Sequence, residues 1–494
     1  MSKKVIVVGG GIAGLSAGVY AQKCGFDVTI LESHSIAGGI CTSWKRDGYL
    51  FEGGLHWLGG SCEKQSLNKL WRYIGALNDS VKISYAEPFV EYDYNGTPIR
   101  LYRDVDATER HLIKVSPQDT KEIKQFCKYI RKMKNLAMPI TDLKGVKATK
   151  KSHPPLSLLF ASISAGKLMN RYGHISREEY AKGFKHEGIR QMIQALPGGK
   201  QGIPIFFLTM GALARGDGGF PEGGSIPFVG RIVNKFKSLG GEILFNTKAE
   251  RVIVENGKAV GVYANGVQFS ADTVIITSDT MDVDQLFDMP LKSSWLDKMK
   301  KETEPTSATF ISLGVNADLS NYPERPLLKL DSAVTLDDQR YESLLISNYA
   351  ANSSYSPFGK TTLTLQLPGD TYLFWKKAKE ENRYLGEKQK IADDIIAELI
   401  RKIPEITGKV EVCDVATPLT YKRYCGNWKG SWMTAIKPDM NIQPYPASID
   451  GLEGVYFAGQ RMMPPGGIPP AAMSGRTAVQ CLCRDTGTLF ISED

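Results

Sequence analysis

The chain has 494 residues, 42% of them hydrophobic and 23% charged, with a net charge of +8. This length is too great for one simple core and predicts two or three domains, while the ordinary apolar content and mixed charge exclude a disordered chain. The sequence has no RNA-reading aromatic motif, zinc-finger spacing or run of about 18 apolar residues, so it gives no sign of a nucleic-acid partner, a zinc site or a spanning helix.

In chain order, Lys4 to Val8 reads as a short buried strand. Gly9-Gly10-Gly11-Ile12-Ala13-Gly14 then satisfies G-x-G-x-x-G, a helix runs from about Ile12 to Cys24, and Gly25 ends it. A second strand passes through Val28 to Leu31, with Glu32 at its C-terminal end. Lys3-Lys4 and the apolar run to Ala21 also have the look of a signal peptide, but a strand, turn and helix account for them better. Each part of that unit has a reason. Gly9 permits the tight turn, Gly11 lets a pyrophosphate approach the backbone, and Gly14 lets the helix pack close on the strand. The helix N-terminus offers unpaired N–H groups and partial positive charge to phosphates. Glu32 can accept both ribose hydroxyl hydrogens and would repel a 2′-phosphate, which argues against NADP.

Further along come Gly38-Gly39-Ile40 and a glycine-rich stretch from Gly48 to Gly60 that contains His56 and Trp57. Asn95-Gly96, Asn256-Gly257 and Asn265-Gly266 are hairpin signals. Ser116-Pro117-Gln118-Asp119 predicts the capped start of a long helix, and residues 384–403 another amphipathic helix. The basic excess gathers between Lys121 and Arg171. It includes Lys144, Lys147, Lys150 and Lys151, followed by the apolar run Pro154 to Ala161. Basic residues beside an apolar helix suit an anionic membrane surface, and a surface loop before a core helix explains them equally well. Gly218 to Gly224 precedes a helix, followed by Gly240-Gly241-Glu242-Ile243 and Ala249-Glu250-Arg251-Val252. Near the end, a strand closes at Phe457-Ala458-Gly459, and Gln460-Arg461 opens a loop through Pro465-Gly466-Gly467-Ile468-Pro469. A helix with Ser474-Gly475 follows, continuous from Ala471.

The glycine pair after Glu32 resembles the extended fingerprint of two-dinucleotide-binding flavoproteins, which implies FAD rather than NAD. The end-to-end order of these motifs resembles the phytoene desaturase family, which includes carotenoid isomerases and retinol saturases. The resemblance implies an α/β fold, with a Rossmann-type FAD-binding domain from residues 1–75, 215–285 and 425–494. An interleaved α+β substrate domain takes 76–214 and 286–424, with a membrane-contact segment near 144–172. FAD would be held by Gly9, Gly11, Ile12, Ala13, Gly14, Glu32, Gly38, Gly39, Ile40, Gly459, Gln460, Gly467, Ile468 and Pro469. In the family the backbone of the strand at Val252 meets the adenine.

The desaturases carry a glycine-proline pair where this chain has Gly54-Leu55-His56-Trp57-Leu58-Gly59, closer to the retinol-saturase pattern. That tilts the expected chemistry toward saturation or isomerisation of an apolar polyene or isoprenoid, by hydride transfer with the flavin. His56 and Arg461 are the candidate catalytic side chains. His56 either donates a proton or hydrogen bond near the flavin or is satisfied within its loop. Arg461 either stabilises reduced flavin or pairs with a carboxylate. Trp57, Trp428 and Trp432 line a substrate tunnel or belong to the core. Cys41 has Arg46 where a disulfide reductase needs a second cysteine. No second dinucleotide turn marks an NAD(P)H site, so the electron partner stays open. An amine oxidase and a non-enzymatic prenyl-lipid carrier share the fold and are the alternatives. Eight scattered cysteines without a C-x-x-C pair point to a reducing, cytoplasmic setting, with or without membrane association.

Overall fold

The computed structural model describes residues 2–136, 138–152, 156–196, 203–435 and 443–493. Its first layer is a five-stranded sheet in the order Val455–Phe457, Thr273–Ile276, Lys4–Val8, Asp27–Leu31, Glu242–Leu244. All pairings are parallel, and Val5 lies opposite both Thr273 and Val28. Lys4–Val8 sits at its centre with both faces covered, which is why the strand is an unbroken Val/Ile run after Lys4. On one face Val5 and Val7 pack with Leu15, Tyr20, Phe236 and Val479 from the helices Ile12–Lys23, Ser225–Ser238 and Ile468–Thr486. On the other, Ile6, Val8 and Leu31 meet Val252 and Val262 of a three-stranded antiparallel sheet. Both hairpins of that sheet turn on Asn-Gly pairs with positive φ, 49° and 78° at Asn256-Gly257 and 48° and 76° at Asn265-Gly266. This is the Rossmann-type architecture expected from the sequence.

The second layer is a seven-stranded mixed sheet in the order Val410–Ala416, Ala308–Val315, Thr361–Pro368, Gln339–Asn348, Pro326–Leu336, Val90–Tyr94, Thr97–Leu101. Helix Tyr384–Lys402 covers one end through Ile391, Ile395 and Leu399. Near the other end lies a helical cluster that includes Thr120–Met133 and Ile203–Ala214.

Two stretches outside residues 1–75, 215–285 and 425–494 pack against the first layer. Leu296 and Met299 of the helix Ser294–Glu302 join the core around Ile6 and Val8. Ile140 joins the opposite core, with Leu143, Val146 and Ala148 against it. There the backbone N–H of Phe490 donates to Lys147 O (2.8 Å) and that of Thr149 to Phe490 O (2.9 Å). The basic stretch is therefore pinned to the C-terminal tail, while the side chains of Lys144, Lys147, Lys150 and Lys151 are exposed. The helix Leu156–Tyr172 follows it, and Pro154-Pro155 lies outside the described residues. No helix of the described residues is long and apolar enough to cross a membrane.

Two helix starts differ from expectation. A 3₁₀ turn, Pro117–Asp119, precedes the helix Thr120–Met133, and Ser116 donates to Asp119 instead of capping it. Asp119 in turn accepts the backbone N–H groups of Lys185 and His186, so this corner ties two segments together. The last helix begins at Ile468 rather than Ala471, since Pro469 and Pro470 both fall in the first turn, where a missing N–H costs nothing.

Candidate active site

One cavity of about 2260 Å³ runs from the glycine turns of the first layer to the second layer and its helices. It is larger than the roughly 300–1,000 Å³ of ordinary ligand pockets. Gly9, Gly11, Ile12, Ala13, Glu32, Gly38, Gly39, Ile40, Gly459, Gln460, Arg461, Gly467, Ile468, Pro469 and His56 all border it, and Gly14 and Val252 do not.

At its nucleotide end, Gly9 turns the chain with φ +105°, open to glycine and strained for other residues. A Cβ at Gly14 would overlap the Gly9 carbonyl oxygen, so this glycine serves strand–helix packing. A Cβ at Gly11 would meet nothing closer than 3.9 Å, so the protein itself leaves the space in front of that residue free. The helix behind Gly11 has no side-chain cap and no acidic residue in its first turn. Its N–H groups and positive dipole end are available to an anion. The Glu32 carboxylate is held by the backbone N–H groups of Gly10 and His34, both donating at 2.7 Å. It stands 8% exposed at the cavity wall. Gly38 N–H donates to Gly10 O at 2.9 Å, which lays the second glycine pair against the first turn.

At the far strand end, Ser474 Oγ accepts the N–H of Gly459 at 2.9 Å. The helix Ile468–Thr486 opens on Gly467, again without a side-chain cap or a first-turn acid. Two helix N-termini thus face one cavity. Arg461, 2% exposed, makes a two-pronged ion pair with Asp279 (2.7 and 2.8 Å) and also donates to Ser431 and Thr434. Of its two expected roles, the carboxylate partner is present as Asp279, and the side chain also borders the cavity. Trp57 and Trp432 border the cavity, and the Trp428 ring lies 5.6 Å from the Arg461 guanidinium. Val252 packs its side chain into the core between the sheets, and the cavity wall on its strand is made by Ala249 and the preceding Lys248.

At the other end His56 accepts a hydrogen bond from the Gln366 amide at 2.6 Å and stacks on Phe310 at 5.9 Å between ring centres. Burial, reinforced by the positive charge of Arg325, lowers His56 to about 3, so the imidazole is neutral at physiological pH. The same cavity is also bordered by the apolar Trp57, Phe89, Met138, Leu196, Phe206, Leu208 and Met210, and by the charged Arg177, Glu178, Lys329 and Arg340. Sequence reasoning missed Thr277, Ser278 and Asp279, although they follow a strand of the parallel sheet, where ligands of such sheets collect. It missed Gln366 and Arg325 because no local motif marks either side chain on or beside the seven-stranded sheet.

The residues present fit a dinucleotide. Two uncapped helix ends, a glycine turn with open space before it and an acidic strand end all face the same volume. The fold and site together define a flavoprotein of the two-dinucleotide-binding type. Residues 12–483 match the family described as flavin containing amine oxidoreductase, and the chain belongs to that family, with FAD as its cofactor. Over 98% of its length the chain is 25% identical to the chloroplastic prolycopene isomerase of Daucus carota, covering 80% of that protein. It is 21% identical to the 4,4′-diaponeurosporene oxygenase of Staphylococcus aureus strain MSSA476, over 96% of this chain and 97% of that one. The crystal structure of an oxidoreductase from Methanosarcina mazei superposes with a TM-score of 0.61 at 16% identity, over 97% of this chain and all of the other. The resemblance to the carotenoid-related branch, the fold class and FAD are thereby borne out.

Proposed function

We propose that this enzyme acts on a carbon–carbon double bond of an apolar polyene or isoprenoid. The observation that carries the reading is the continuity of the cavity. One volume is bordered both by the dinucleotide turns and by His56, Phe89, Leu196, Phe206, Leu208 and Met210. The names of the carrot and staphylococcal relatives support it, since both belong to carotenoid chemistry. Bound flavin supplies a hydride acceptor or donor at N5. The chain's own part is to hold the apolar substrate in line, keep water out and present His56. That imidazole is neutral, with one nitrogen taken by Gln366, so it offers the reacting centre a hydrogen bond instead of a full proton. With neither an NAD(P)H turn in the sequence nor a charged proton donor at His56, isomerisation is the version best supported, because it needs no net electrons or protons. Desaturation and saturation remain the other forms of the same reading.

Amine oxidation is disfavoured by the Arg325 guanidinium, whose charge would repel an ammonium in the same cavity. A lipid carrier is disfavoured by the retention of both glycine turns. Mass spectrometry of lipid extracts from cells with and without the gene tests the proposal. An isomer shift at constant mass in one apolar compound class is expected, and a change of two hydrogens would move the assignment to saturation or desaturation. No change in any apolar compound, with turnover of an amine by the purified protein, would overturn it. Entry of the substrate from an anionic membrane surface at Lys144 to Lys151 belongs to the same proposal. Salt-sensitive co-sedimentation with anionic vesicles, lost on changing Lys147, Lys150 and Lys151 to glutamate, is its expected sign.

A further inference from the structure

Arg325 stands immediately before the strand Pro326–Leu336, on the border of the cavity. Its guanidinium lies 5.0 Å from the Phe89 ring and 5.3 Å from the Trp57 ring. Its Nε is buried with no hydrogen-bond partner, and no carboxylate among the described residues pairs with it. Two arginines that are buried more fully differ from it. Arg461 is paired with Asp279, and Arg476 with Asp142 and Glu493. Burying a cation without an anion is costly, and two aromatic faces offset only part of that cost. Arg461 and Arg476 are each matched by a carboxylate, whereas Arg325, on the cavity border, has no carboxylate paired with it among the described residues.

We propose that Arg325 receives a carboxylate, and that the substrate is an apolar chain ending in one. This rests on the apolar-substrate reading above and narrows it. A guanidinium is a planar fork of donors that matches the two oxygens of a carboxylate. Its single charge matches a monoanion, whereas a diphosphate would call for several cations around it. Trp57 and Phe89 flank the fork with flat apolar faces, which suit the carbons next to the head group. The tail then extends toward Phe206, Leu208 and Met210. Arg325 is thus a specificity-determining residue, with no part in the bond changes.

The test is equilibrium dialysis of the FAD-loaded protein against cis-parinaric acid, a conjugated apolar carboxylate, and against its methyl ester. The acid is expected to bind roughly tenfold or more tighter than the ester, the scale of a charge-assisted hydrogen-bonded pair. Arg325→Met should weaken the acid to the level of the ester and leave the ester unchanged, while Arg325→Lys should keep part of the preference. FAD content and melting temperature of both variants verify that they are folded. Ester bound as well as acid by the unaltered protein, or a preference that survives Arg325→Met, would overturn the carboxylate while leaving the apolar cavity intact. Binding of neither compound would overturn the apolar-substrate reading and this inference with it.

Discussion

Arg461 and Arg325 border the same cavity, yet their surroundings are opposite. Arg461 has a carboxylate on two prongs and hydroxyls on the others, while Arg325 has aromatic faces and a bare Nε. Around the first, the protein is complete as it stands. Around the second, something from outside is needed to balance the charge. A buried ion pair and a partly buried lone ion thus mark two kinds of wall, one that holds the architecture and one that, on the proposal above, selects what enters.

The comparison can be broken most forcefully at Asp279. Asp279→Ala leaves Arg461 buried without its anion and should cost about 3–5 kcal/mol of folding stability. Urea denaturation measures it, and a loss below about 1 kcal/mol would mean that the Arg461 side is no more self-contained than the Arg325 side. Glu32→Ala, at the nucleotide end of the self-contained wall, should weaken FAD by about 1–3 kcal/mol. Titration of the apoprotein with FAD reads this, and unchanged affinity would remove Glu32 from the ribose.

A third test uses acid. The His56 value of about 3 lies below the roughly 6.5 of an unfolded histidine, so between these values the unfolded chain binds more protons. Stability contributed by neutral His56 is present above that window and falls as the pH drops through it, by at most about 1.4 kcal/mol per pH unit. Melting curves of the unaltered protein and of His56→Gln should diverge toward neutral pH and converge on acidification. The smallest effect is expected at Arg325. Arg325→Met removes an unpaired charge, so stability should change by less than about 1 kcal/mol or rise. A loss as large as that for Asp279→Ala would show that Arg325 has a structural partner and would erase the contrast.

The sequence made the nucleotide end legible because that end is backbone chemistry. Gly9, Gly11 and Gly14 each have a separate steric reason, and those reasons show in the spacing alone. Glu32 was legible because it ends a strand whose apolar run is visible. The substrate end works through side chains brought together from separate strands. Gln366 reaches His56 across a sequence separation of 310 residues, and nothing local in either segment announces it. Val252 was named through the family resemblance and for its backbone, and its side chain packs into the core between the sheets. Ser116 misled because a serine before a proline reads as a cap whether its hydroxyl turns to the helix or, as here, to Asp119.

The berth of the first helix has a consequence for biosynthesis. A Cβ at Gly475 would overlap the Ala13 carbonyl, and Ser16 donates to Ala472 O at 2.8 Å, so the first helix is lined by the last. The edge strand Val455–Phe457 arrives equally late. On the ribosome, the glycine turn emerges early but has neither its covering helix nor the second anion-facing helix end until residues near 475 have been translated. Cofactor capture therefore has to wait for the helix Ile468–Thr486. A nascent chain stalled before the final helix should carry no flavin, however long it is held.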